Sequence, residues 1–231
     1  MKHGYVQKCA AELIGTFAIV FFGCGSIATL QVQPNTHLIV NAVFGLTVAA
    51  AIYALGHISA AHFNPAVTLG FAAAKRFPKD LILPYIASQS VGAILASGLH
   101  SFLFKPSAML VFYGATIPKT DIGRCIAVEG LLTFFLMLVI ISVATDKRVP
   151  EAVPGLAIGM TVALCGLFGG PISGCSMNPA RSFAPALFTG GTALSQVWIY
   201  FVGPIIGAIT AAPVYEWLRK DSLAQDTLVA D

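Results

Sequence analysis

His57-Ile58-Ser59-Ala60-Ala61-His62-Phe63-Asn64-Pro65-Ala66 is answered, 114 residues later, by Pro171-Ile172-Ser173-Gly174-Cys175-Ser176-Met177-Asn178-Pro179-Ala180. In both stretches an asparagine stands directly before a proline. Asparagine is a favoured helix N-cap, and proline suits the first helical position because its missing N–H has no partner there anyway. Each stretch therefore reads as a loop that becomes a helix at Asn64 or Asn178. The likeness spreads outward from these two points. Gly45-Leu46-Thr47-Val48-Ala49 matches Gly159-Met160-Thr161-Val162-Ala163 at the same offset, Glu12 with Thr16-Phe17 matches Glu129 with Thr133-Phe134 at 117, and Gly92-Ala93-Ile94 matches Gly207-Ala208-Ile209 at 115. Residues 1–231 read as one domain made of two copies, 8–104 and 122–218, followed by a polar, acidic tail over 219–231 that is expected to lack regular structure.

Composition sets the solvent of this repeat. Of 231 residues 57% are apolar and 10% charged, with 13 basic and 10 acidic side chains, and the mean hydropathy is +0.82. A soluble domain carries about 25% charged residues, so this chain has too few to cover a wet surface. It is expected to be an integral, multi-pass membrane protein with the lipid bilayer around it. The 62 residues between Glu12 and Lys75 hold no acidic or basic side chain, enough for two spans of roughly 20 residues. Six spans are placed at 8–29, 38–56, 82–104, 122–144, 154–170 and 195–218.

Two apolar stretches remain, Gly56 to Ala74 and Pro171 to Gly191, each too short to cross and each holding one Asn-Pro-Ala. Three spans per copy is an odd number, so the copies face opposite ways across the membrane, as in many transport proteins. The short segments then enter from opposite faces as half-helices and meet near the midplane, their positive N-terminal ends aimed at one spot. Unpaired loop carbonyls at that depth are tolerable where they line water or are buried in protein. The fold class is an all-α membrane protein with six transmembrane helices and two re-entrant half-helices in an inverted repeat.

Six spans put both termini on one side. Lys2, Lys8, Lys75, Arg76, Lys79, Lys147, Arg148, Arg219 and Lys220 fall there, against Lys105, Lys119, Arg124 and Arg181 opposite, so the positive-inside rule makes the termini cytoplasmic, in a plasma or inner membrane. The net charge of +3 is too small and too scattered for nucleic-acid binding. Cys9, Cys24, Cys125, Cys165 and Cys175 are read as free thiols, and no Cys, Asp or Glu keeps ligand spacing with His57 or His62, so no metal and no cofactor are expected. Neither a Ser-His pair nor His-Glu-x-x-His is present, and the chain is read as no enzyme.

Intramembrane charges are functional by default. Glu12 and Glu129, equivalent in the repeat, are assigned to accepting hydrogen bonds from the entering loops, with a proton-carrying role as the alternative. Arg181 is assigned to the pore wall, held by backbone carbonyls. A passive channel and an ion-coupled secondary transporter of a small solute both fit an inverted repeat; a saturating or proton-dependent flux would select the second.

With two Asn-Pro-Ala boxes, Arg181 after the second, and Gly-x-Thr-Val-Ala before each, the chain resembles the aquaporin and aquaglyceroporin superfamily, the major intrinsic proteins, from Glu12 to about Trp217. The resemblance implies that Asn64-Pro65-Ala66 and Asn178-Pro179-Ala180 form the pore centre, the two asparagine amides donating to a passing water. It implies that carbonyls of Ala60, Ala61 and His62, and of Gly174, Cys175 and Ser176, form an acceptor ladder. It also implies that protons and ions are refused by the half-helix dipoles and by Arg181, and that the subunits assemble as homotetramers with a pore in each.

Four positions of the family's selectivity filter carry over to Phe44, Gly166, Cys175 and Arg181. Water channels usually have His at the place of Gly166, and glycerol facilitators Gly. Ser182, Ala186 and Tyr200-Phe201 lean instead toward the water branch, and the stretch around Asn178 looks like the nodulin branch. The resemblance thus implies passage of water and small neutral solutes such as glycerol, through a filter expected to be bounded by Phe44, Cys175 and Arg181 alone, with the Cys175 thiol facing the constriction.

Overall fold

The 62-residue stretch supplies most of α1 (Tyr5–Leu30) and all of α2 (Thr36–Ser59), the first two spans of a computed structural model that describes residues 4–30, 34–146, 148–150 and 153–228, with side chains through Arg219. The half-helix α3 (Pro65–Ala73) and the span α4 (Lys79–Leu103) complete the first copy. A short helix, α5 (Lys105–Leu110), and a single 3-10 turn at Phe112–Gly114 lead to the second copy. That copy consists of α6 (Ile122–Thr145), α7 (Val153–Ser173), the half-helix α8 (Pro179–Thr189), the one-turn α9 (Gly191–Ser195) and α10 (Ile199–Leu228). Among the described residues six helices are long and apolar enough to cross a membrane. The half-helices, nine and eleven residues long, rise about 13 and 16 Å at 1.5 Å per residue, so together they match a hydrocarbon core of about 30 Å.

The packing follows the repeat. α1 lies on α4 in the first copy and α6 on α10 in the second, while α2 and α7 pack on each other across the copies. At that crossing Gly45 faces Gly159, its repeat mate. A Cβ on either would come within 2.5 Å of the other's carbonyl oxygen, so the absent side chains are what let these two backbones touch. Lipid offers apolar surfaces no hydrophobic drive to associate, and close backbone approach of this kind supplies the dispersion contact instead. Each half-helix packs chiefly on the last span of the other copy, α3 on α10 and α8 on α4, which locks the two copies into one body. Leu131, Phe135, Leu164 and Phe168 are exposed on the outer faces of α6 and α7, where lipid would cover them.

One expectation changes. The tail beyond Lys220 continues α10 in helical form to Leu228, since Leu223, Ala224 and Gln225 are good helix formers and no Gly or Pro follows Pro213; residues 229–231 lie outside the described ones, as do Lys2 and Lys147 of the charge comparison. The connection between the copies carries α5 and the 3-10 turn, whose last residue, Gly114, accepts at its carbonyl from Arg181.

Candidate functional site

Asn64 and Asn178 sit in extended backbone directly before α3 and α8. Asn64 Oδ1 accepts from the Ala66 N–H at 2.9 Å; Asn178 Oδ1 accepts from Ala180 and Arg181 N–H at 3.1 and 3.3 Å. These are N-caps. The other end of each amide reaches across the repeat, Asn64 Nδ2 donating to the Met177 carbonyl at 2.7 Å and Asn178 Nδ2 to the Phe63 carbonyl at 2.9 Å. A carboxamide carries two N–H groups, and one of the two on each asparagine straps the opposite loop. Both asparagines line the central cavity, whereas Pro65, Ala66, Pro179 and Ala180 are buried in the first helical turns and are not among its lining residues.

Replacing either asparagine by alanine removes a cap and a strap, together about 2 kcal/mol. Because the two are equivalent in the repeat, Asn64→Ala and Asn178→Ala are expected to lower the thermal midpoint of the detergent-solubilised protein by similar amounts and to reduce water flux. Unchanged midpoints and flux in both variants would remove these residues from the pore centre.

The loops that lead into the half-helices are strained in the same way in both copies. Ala60, Ala61 and Phe63 have positive φ, as do Gly174, Cys175 and Met177, and a non-glycine residue there costs roughly 1–2 kcal/mol. Two fully buried carboxylates hold them. Glu12 Oε1 accepts from Ser59 Oγ at 2.7 Å and the His62 N–H at 3.0 Å, and Oε2 from the Phe63 N–H at 2.7 Å. Glu129 accepts from Ser173 Oγ at 2.6 Å, the Ser176 N–H at 2.9 Å and the Met177 N–H at 2.8 Å. Tyr85 and Tyr200, repeat mates, donate to the carbonyls of Ser59 and Ser173. With these N–H groups turned to the carboxylates, Ala60, Ala61, His62, Gly174, Cys175 and Ser176 all border the cavity. Gln89, which the sequence reading passed over, donates to Glu12 at 2.7 Å and to Thr68 at 3.0 Å.

The cavity holds about 830 Å³. Its lining runs along α2 from Thr36 to Ile52, about 24 Å of helix, so it extends nearly the thickness of a bilayer core. Val48, Ile52, Leu136, Ile140, Ile158 and Val162 form its apolar wall. Phe44, Gly166, Cys175 and Arg181 gather in the half near the start of α2. Arg181 is 5% exposed, donates from Nη1 to the Gly114 carbonyl at 2.9 Å and lies 4.9 Å from the centre of the Phe44 ring. Lys119, not foreseen as a lining residue, donates to the Gly170 carbonyl at 2.9 Å nearby.

Two features of this region differ from expectation. The Cys175 thiol is directed to the Cys165 carbonyl at 3.3 Å, because that acceptor lies against it on α7; the residue borders the cavity but its thiol is tied to the wall. The space beside Gly166 is also filled. A Cβ at Gly166 would lie 2.0 Å from Asn41 Oδ1, so a side chain from α2 occupies what the glycine vacates, and the opening is not bounded by Phe44, Cys175 and Arg181 alone.

The family described as "Major intrinsic protein" matches residues 1–215. The chain belongs to the major intrinsic protein family. Among its relatives, "Aquaporin NIP1-1" of Zea mays is 42% identical over 218 residues, covering 93% of this chain and 76% of the relative. "Nodulin-26" of Glycine max is 41% identical over 217 residues, 93% and 79% of the two chains. In fold, the chain matches the aquaglyceroporin from Plasmodium falciparum with a TM-score of 0.85 at 23% identity, over 96% of this chain and all of that one.

This major intrinsic protein is therefore an integral, multi-pass membrane protein and a passive channel for water and small solutes, and no enzyme. The geometry agrees with passive transport over ion coupling. Glu12 and Glu129, the buried acids a coupling ion would use, already accept three or more hydrogen bonds each from loop and helix donors.

Proposed function

We propose that this major intrinsic protein passes small neutral solutes such as glycerol alongside water and excludes ions and protons, with Phe44, Gly166, Cys175 and Arg181 as its filter, Asn64 and Asn178 as its centre, and the carbonyls of Ala60, Ala61, His62, Gly174, Cys175 and Ser176 as its acceptor ladder. The observation that carries the reading is the cavity itself. Val48, Ile52, Leu136, Ile140, Ile158 and Val162 make one stretch of its lining apolar, while loop residues, two asparagines and a buried arginine make another polar, joined toward the start of α2 by His37, Asn41 and Lys119. Such a lining suits a molecule with hydroxyls on one side and C–H groups on the other. A passing ion would lose hydration that few groups replace, and a cation would meet the guanidinium and the N-terminal ends of α3 and α8. The absence of a side chain at Gly166 leaves the filter free of a ring at that place.

The same reading makes the assembly a homotetramer with one pore per subunit, and puts the termini in the cytoplasm and the protein in the plasma or inner membrane. Family resemblance supports the first, the excess of basic residues on the terminal face the second. Stopped-flow light scattering on proteoliposomes tests the solute range. Glycerol is expected to equilibrate measurably faster than in protein-free vesicles at equal water permeability per channel across preparations. Water flux with glycerol leakage no faster than in the empty vesicles would make this a strict water channel.

A further inference from the structure

α7 carries two glycines one turn apart, Gly166 and Gly170, and α2 carries two polar side chains one turn apart, Asn41 and His37. The structure fits the second pair into the first. A Cβ at Gly166 would lie 2.0 Å from Asn41 Oδ1, and a Cβ at Gly170 2.5 Å from His37 Cε1. Both polar residues line the cavity at the filter end.

A chain of hydrogen bonds sets the orientation of the carboxamide. Pro171 has no N–H, so the Leu167 carbonyl, four residues before it, has no helical donor. His37 Nε2 lies 2.9 Å from that carbonyl. A carbonyl can only accept, so Nε2 carries the proton and Nδ1 of the neutral ring is an acceptor. Asn41 Nδ2 lies 3.2 Å from that Nδ1 and 2.7 Å from the His37 carbonyl. Both partners accept, which identifies the atom as nitrogen and occupies both of its N–H groups. The group the carboxamide has left to offer a solute is Oδ1, an acceptor, held beside Gly166.

We propose that Asn41 is a fifth filter residue that determines specificity, standing in for the side chain Gly166 lacks, and that His37 is its positioning residue. Arg181 supplies N–H donors to the filter from α8; Asn41 supplies an acceptor from α2. Such a pairing selects neutral solutes that both donate and accept, above all short polyols, and the bulk of Asn41 limits their size. The proposal rests on the filter reading given above.

The experiment measures water, glycerol and four-carbon polyol permeabilities of proteoliposomes, normalised to folded protein, for the wild type, Asn41→Ala, Asn41→Leu, His37→Ala, the Asn41→Ala/His37→Ala double variant and Phe44→Ala. Asn41→Ala frees the space of a carboxamide and is expected to raise the four-carbon to three-carbon ratio by about tenfold, the lower end of what a methylene-sized change is worth in a pocket. Asn41→Leu keeps the bulk without the acceptor and is expected to leave that ratio low while glycerol falls relative to water; it also serves if the alanine variant does not fold. If His37 acts by holding Asn41, the double variant equals Asn41→Ala; additive effects overturn the positioning role. Phe44→Ala separates the two layers of the argument. Selectivity that responds to Phe44→Ala but to neither Asn41 variant overturns this proposal and leaves the four-residue filter standing. Selectivity that responds to none of them overturns the filter reading itself.

Discussion

Glu129→Ala is expected to yield almost no folded channel. The substitution leaves Ser173 Oγ and the N–H groups of Ser176 and Met177 without their acceptor at a site that is fully buried. An orphaned buried donor costs about 1–3 kcal/mol, so three of them approach the whole stability of about 5–15 kcal/mol that native domains possess. Monodisperse protein recovered in detergent is the measurement. Glu129→Gln separates scaffold from proton carrier, because its one remaining acceptor oxygen can still hold part of the loop while the side chain no longer titrates. Reduced yield is expected, with the folded fraction conducting water at the wild-type rate per channel and showing no response to an imposed pH gradient. A Glu129→Gln variant that folds normally but conducts no water would assign the carboxylate to transport.

The case of Glu129 also shows what a reader of the sequence can reach. An acid in a 3.6-residue apolar pattern is conspicuous, its twin at Glu12 gives it a symmetric partner, and together they point at the loops that need acceptors. The architecture was legible for the same reason: a repeat with an odd number of spans admits one arrangement of its copies, and the Asn-Pro pairs mark where the half-helices start. The cross-straps from Asn64 to Met177 and from Asn178 to Phe63 were not legible, because nothing in either motif says how closely the two loops approach at the centre. Asn41 was hidden for another reason. Gly166 reads as an empty place, and what fills it comes from 125 residues earlier through a contact that requires Gly170, Pro171 and His37 as well. The one sequence signal was polarity, since Asn41 and His37 stand one turn apart on a span that is otherwise apolar around them. The Cys175 thiol was misjudged because a position in a loop does not fix a rotamer, and the nearby Cys165 carbonyl does.

Arg181→Val is expected to make the channel leak cations while it still passes water. The guanidinium is buried, held by the Gly114 carbonyl and placed over the Phe44 ring, so its charge is fixed beside the cavity, at the proposed filter, and poorly screened. A monovalent cation forced to within about 4 Å of it meets some 4 kcal/mol of repulsion at an effective dielectric constant of 20, and each 1.4 kcal/mol is a factor of ten. Removing the charge therefore lowers the barrier at this place by up to about three orders of magnitude, until a second barrier takes over. On the proposed reading that second barrier is at Asn64 and Asn178, where α3 and α8 present their positive ends. The size of the leak, read as acidification of dye-loaded proteoliposomes under a pH step, thus apportions exclusion between the two places. Arg181→Lys keeps the charge but loses the planar fork, so it is expected to stay tight to protons while glycerol, on the proposed solute range, slows, glycerol being able to use several donors at once. Arg181→Val vesicles as tight as wild type would place exclusion wholly at the half-helix termini, and Arg181 would then be there for the solute's hydroxyls.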